Sequence, residues 1–148
     1  NLAVNGYDTV LPLMGTSVFA QAGAALAVCV RSKRKEFKST CISAALSALF
    51  GVTEPAMFGV NLPLKKPMAA VLISGAAGGV LAGMSGARAA AFGLPSLVTL
   101  PIFLGDGFGM LVCGCGLSMA LAFVLTYFMK FDPDKKKENQ TENIKEAA

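Results

Sequence analysis

The chain has 148 residues, 54% of them hydrophobic and 15% charged, with a mean hydropathy of +0.60 and a formal net charge of +4. That is too apolar and too poor in charge for a water-soluble domain of this size. Apolar residues come in long uncharged runs, neither alternating nor confined to one helical stripe, so a bilayer is the expected solvent.

The chain opens at Asn1, with no Met and no basic stretch leading into a short apolar core, so it is read as a piece of a longer protein rather than as a secretory start. From Val10 to Val30 about 21 residues carry no charge, close to the ~20 needed for a helix to cross a ~30 Å core. This is the first predicted span. Gln21 within it is read two ways, as a hydroxyl ligand or as a bond between helices. Arg31 to Lys38 holds five basic residues against one acid, which places it in the cytoplasm and the amino terminus outside. The run is short and flanked by apolar spans, so no nucleic acid partner is expected.

Ser39 to Gly51 is apolar but only about 13 residues long, too short to cross alone. Val52 to Leu62 is shorter and contains Glu54 and Pro55, and Pro63, Lys65 and Lys66 end it. Two half-length segments meeting at Gly51-Val52-Thr53-Glu54-Pro55 predict a re-entrant hairpin whose ends both lie on the cytoplasmic side. The rival is a single crossing from Ser39 to Leu62, which would leave the lysine tail outside or force a proline-rich segment across.

Pro67 to Ala87 is again uncharged for about 21 residues and carries Gly75, Gly79 and Gly83 on one face, which should lie against another helix. Ala89 to Gly105 is interrupted by Gly93, Pro95 and Pro101, so broken structure is expected on the outer side. Phe108 to Met129 is the last span, ended in the cytoplasm by Lys130 and Lys135 to Lys137. Residues 132–148, charged and without aromatics, read as a disordered cytoplasmic tail or linker behind a partial membrane-embedded domain of residues 1–131. The expected fold is therefore an all-α membrane protein, a multi-span helical bundle fragment with a re-entrant hairpin.

Glu54 carries most of the functional information, because an ionisable side chain in the middle of an apolar region is costly and marks a candidate site. Gly51 allows close backbone approach, Pro55 breaks the helix, and Thr53 and Asn61 offer hydrogen bonds. A carboxylate there can accept hydrogen bonds from hydroxyls or take a proton. Phe58 is read first as a core or lipid contact and second as a ring that stacks on a sugar. Asp8 and Asp106, at the edges of apolar runs, are read as interfacial. Cys29, Cys41, Cys113 and Cys115 are read as small packing residues, and with no histidine and no cluster of carboxylates neither a metal nor a cofactor is expected.

The stretch Gly-Val-Thr-Glu-Pro-Ala-Met-Phe-Gly-Val-Asn-Leu-Pro-Leu-Lys-Lys-Pro, residues 51–67, closely resembles the Gly-Ile-Thr-Glu-Pro-Ala-Ile-Tyr-Gly-Val signature of enzyme II C (EIIC) subunits in the glucose, glucoside and sucrose superfamily of the phosphotransferase system. Asn5 to Asp8 with Leu11 to Met14, Ala20 to Ala25 and Phe92 to Ser96 also resemble that family, and Phe92 to Ser96 with Leu62 to Pro67 resemble its β-glucoside branch most.

The resemblance implies a multi-pass permease of the bacterial inner membrane. It would bind a glucoside at the membrane midplane and carry it inward, while EIIB and EIIA domains supply the phosphoryl group. Glu54 is then the implied sugar-hydroxyl ligand, with Thr53, Asn61, Gly51 and Gly59 as neighbours. The resemblance further implies a homodimer formed through a part outside this chain, contact with membrane lipids, and a partner histidine on an earlier hairpin that this chain lacks. None of the four cysteines matches the phosphorylated cysteine of the EIIB domain, so no catalytic residue is expected in this chain, and whether it counts as an enzyme depends on domains outside it. The alternative reading is an ion-coupled secondary transporter with Glu54 as proton carrier.

Overall fold

The computed structural model describes residues 5–89, 93–103, 105 and 107–130. Four long helices order the fold: α1 (Val10–Arg31), α2 (Lys35–Leu49), α3 (Lys66–Met84) and α4 (Phe108–Phe128). At 1.5 Å per residue α1, α3 and α4 are roughly 28–33 Å long, enough to cross a bilayer core, and all three are apolar enough to do so. The expected spans are thus present, and the described residues hold no strand, only one isolated bridge between Asp8 and Ala89.

Helix α1 is the axis of the bundle. Its side chains are small, and Val18 to Ala25 are almost continuously buried because neighbours close on several sides. Asp8 accepts a hydrogen bond from the Val10 amide at 3.1 Å through Oδ1, just ahead of α1. At the other end Ser32 and Arg34 are extended. The basic run is therefore not a loop throughout: α2 starts at Lys35, because the three residues Ser32 to Arg34 suffice to reverse the chain.

Helix α2 buries Phe37, Cys41, Ala44, Ala45 and Ala48, a stripe at i, i+4, i+7, i+8 and i+11 that lies on α1. It ends in a Schellman motif: the Gly51 amide donates to the Ala48 carbonyl at 2.8 Å and the Val52 amide to the Ser47 carbonyl at 3.0 Å, with Gly51 at φ +92. The chain then returns along a short limb, α-helical over Glu54–Ala56, π-helical over Met57–Asn61 and α-helical again over Leu62–Leu64. Pro63 has no amide hydrogen and its ring crowds the Gly59 carbonyl; the turn before it is widened, the Leu62 amide bonding Met57. Both limbs are too short to cross, and the hairpin is present.

Chain direction follows from the contacts. Gly75, Gly79 and Gly83 face Ser17, Thr16 and Leu13, so α3 runs antiparallel to α1 along the expected glycine face. Helix α4 runs parallel to α1: Gly15 lies by Cys115, Gly23 by Met119, and Arg31 Nη1 donates to the carbonyls of Tyr127 (2.6 Å) and Met129 (2.8 Å). Lys66 Nζ also donates to the Lys130 carbonyl. Arg31, Lys66 and Lys130 thus share one end, as the positive-inside reading requires, and a single crossing from Ser39 to Leu62 is excluded.

Where the three spans cross, Ser118 Oγ donates to the carbonyls of Thr16 (2.8 Å) and Ser74 (3.1 Å), and Thr16 Oγ1 reaches the Gly75 carbonyl at 3.3 Å. Small residues let the backbones approach closely enough for hydroxyls to bridge them. Outward, Leu72, Ile73, Val80, Met84, Leu117, Val124 and Phe128 are exposed, an arrangement suited to apolar surroundings. Helix α3 stops before the expected Ala87 because Ser85 Oγ turns back to the Ala82 carbonyl at 2.6 Å and Gly86 takes φ +64. Between α3 and α4 the chain is broken as expected, with a 3-10 turn at Leu100–Phe103. The predicted tail and Asp106 lie outside the described residues.

Candidate functional site at the hairpin tip

The tip is held from the outer side. A Cβ on Gly51 would stand 3.3 Å from Leu94 Cβ, from the Pro95 carbonyl and from Ser96 Cβ, and the Leu97 amide donates to the Leu49 carbonyl at 2.8 Å. The segment that does this is stiffened by Ser96 and Thr99, each hydroxyl accepting a hydrogen bond from the other's amide (3.2 and 2.9 Å). Of Phe92 to Ser96, singled out in the sequence, Leu94 to Ser96 meet Gly51 here, which could not be read from spacing, and Phe92 lies outside the described residues. Gly51→Ala is expected to destabilise the folded protein by about 1–2 kcal/mol, because an L side chain is strained at this φ, with Gly51→Asn milder. Thermal unfolding of the purified full-length protein measures it, and an Ala variant as stable as the parent would contradict the packing.

Glu54 is the first helical residue after the turn, with Pro55 next and Thr53, half-buried, before it. Its side chain is exposed, and no hydrogen bond or ion pair to it is made among the described residues. Its setting is unusual: Phe50, Val52, Phe58 and Leu62 are each at least 43% exposed on the same hairpin. A carboxylate amid exposed apolar side chains suits neither open water nor lipid.

The other predicted residues divide. Gly51, Thr53 and Glu54 share the tip, and Gly59 lies further along the limb with nothing within 4 Å of where a Cβ would be. Asn61 parts from them. It is wholly buried towards α1, its Nδ2 donating to the Gln21 carbonyl at 3.3 Å. The π-helical turn accounts for this, since one extra residue per turn rotates whatever follows about the helix axis. Of the cysteines, Cys29, Cys41 and Cys115 are buried and Cys113 is exposed, and no metal-binding group occurs among the described residues.

Three apolar spans and a non-spanning hairpin with an acidic residue at its tip define a membrane-embedded helical element with a candidate site. The model of the family described as phosphotransferase system, EIIC, matches residues 4–75. The chain is 44% identical over 133 residues to the β-glucoside-specific EIIBCA component of Bacillus subtilis strain 168, covering 89% of the chain and 22% of that protein. It is 35% identical over 136 residues to the sucrose-specific EIIBC component of the same strain, covering 90% of the chain and 30% of the relative. Against the arbutin-, cellobiose- and salicin-specific EIIBC component of Escherichia coli K12 it is 38% identical over 108 residues, 72% of the chain and 22% of the relative. No solved structure matches significantly. The chain belongs to the EIIC family of the phosphotransferase system, on its glucoside side, and spans between a fifth and a third of the length of these relatives.

Proposed function

We propose that this chain is part of a permease that binds a glucoside and carries it across the bacterial inner membrane for phosphoenolpyruvate-dependent phosphorylation during uptake. The observation that carries the reading is Glu54, an ionisable group at the tip of a non-spanning hairpin that also exposes Phe50, Val52, Phe58 and Leu62. Such a face is stable only against protein or a polar cavity, and a sugar supplies the hydroxyls a carboxylate there can accept. Thr53 and the backbone at Gly51 lie beside it, and the open side of Gly59 leaves room along the limb. Asn61, from its buried place, acts on the limb's position.

The names of the relatives support EIIB and EIIA domains as phosphotransfer partners. The exposed apolar faces of α3 and α4 contact lipid or other spans of the permease, and the homodimer forms through a part outside this chain. Glu54 would replace water around the sugar, movement of the bundle would open the site inward, and phosphorylation on the cytoplasmic side would trap the product, because the bilayer rejects its charge. Residues of this chain bind and move the sugar, and the phosphoryl group comes from elsewhere.

Vesicles carrying the full-length permease and its phosphotransfer partners should accumulate sugar phosphate from a β-glucoside only when phosphoenolpyruvate is supplied. Uptake of free sugar that an uncoupler abolishes would replace this reading with a proton-coupled carrier.

A further inference from the structure

The limb that bears Glu54 is interrupted along its length. Pro55 and Pro63 lack amide hydrogens, Met57–Asn61 is π-helical, and Lys65, at φ 60 and ψ −51, has the one positive φ among the described non-glycine residues. Those angles approach the strained γ-turn. The cluster that joins the limb to α1 draws Ala56, Val60 and Leu64 from the limb and Ala22, Ala25, Val28 and Cys29 from α1, most of them short side chains. A π-turn and a strained joint beside smooth packing suit a segment that changes position.

One side-chain hydrogen bond crosses this seam among the described residues, from Asn61 Nδ2 to the Gln21 carbonyl, and at 3.3 Å it is long. Gln21 shares a face of α1 with Ala25 and Val28, both packed in the hairpin cluster, so its side chain points towards the hairpin. Asn61 is 0% and Gln21 7% exposed, yet Asn61 Oδ1 and Gln21 Oε1 have no hydrogen-bond partner among the described residues. A buried acceptor without a donor disfavours the state that buries it.

We propose that Gln21 and Asn61 are positioning residues for Glu54: they balance a limb docked on α1 against a limb drawn away from it, in which both amide oxygens are hydrated. The inference rests on the sugar-site reading, since Glu54 rides on this limb. It gives the unpaired oxygens a purpose, which is to keep the docked state from being too stable to leave.

The test is hydrogen–deuterium exchange and uptake kinetics on the full-length permease, with Gln21→Leu and Gln21→Met, which keep the bulk and remove the buried acceptor. In the parent, amides between Met57 and Leu64 should exchange at least about tenfold faster than those between Val18 and Val28. Each variant should slow limb exchange and lower the maximal uptake rate about five- to thirtyfold, the factor expected for relieving one unpaired buried group. The thermal midpoint should rise and the apparent sugar affinity should change little. A merely structural role would raise the midpoint and leave the rate alone, which overturns the proposal. Parent limb amides as slow as those of α1 overturn it without any variant, and a loss confined to affinity makes Gln21 a sugar contact instead. Glu54→Gln, run in parallel, separates the two readings: lost uptake there beside parental rates in both Gln21 variants removes only the seam, whereas unchanged uptake there removes the sugar site.

Discussion

Glu54→Gln is expected to lower sugar uptake and phosphorylation by the full-length permease roughly 10- to 100-fold while leaving its amount in the membrane and its thermal midpoint unchanged. The size follows from the chemistry. A hydrogen bond to a charged acceptor is worth about 1.5–3 kcal/mol, and the amide keeps the shape but not the charge. Stability should be spared because Glu54 is exposed and makes no hydrogen bond or ion pair among the described residues. Equilibrium binding of labelled glucoside to the purified permease separates binding from translocation, and a variant that binds and transports like the parent would remove Glu54 from the site.

Gly23→Ala should be among the most damaging single methyls within the long helices. The added Cβ would stand 2.3 Å from the Met119 carbonyl oxygen and 3.1 and 3.2 Å from that residue's C and Cα, all backbone atoms that no rotamer change can move away. Helices α1 and α4 must separate, at a cost of about 1–3 kcal/mol. Gly116→Ala is the control, since nothing lies within 4 Å of its Cβ position; it should be neutral or slightly stabilising, alanine being the better helix former. The two are compared by thermal unfolding in detergent, and Gly23→Ala as benign as Gly116→Ala would refute the close crossing.

The spans were legible because uncharged length reports directly on bilayer thickness, and the hairpin because the positive ends at Arg31, Lys66 and Lys130 permit only an odd number of crossings between the first span's start and the last span's end. What hydropathy does not encode is which side of a uniformly apolar helix meets which neighbour. The four-residue series Gly75, Gly79 and Gly83 was readable as a face, yet the tighter contacts are at Gly23 and Gly78, whose Cβ positions fall 2.3 Å from Met119 O and 2.6 Å from Ser118 Cβ. The start of α2 was misplaced for a related reason. Lysines prefer the interface but do not forbid a helix there. Asn61 was grouped with Glu54 by proximity in sequence, and a widened turn, which leaves little trace in composition beyond Gly59 and Pro63, directed it to α1.

The grip of Arg31 on the carbonyls of Tyr127 and Met129 joins residues 96 and 98 apart in sequence. Ribosomes add roughly 5–20 residues per second, so α1 waits about 5–20 s in the nascent chain before the groups it will hold exist. During that interval its polar Gln21 and its bare glycines lie beside lipid or the insertion machinery. Closure of this part of the bundle therefore waits on α4, and truncations that stop before Tyr127 should leave a product open to membrane quality-control proteases.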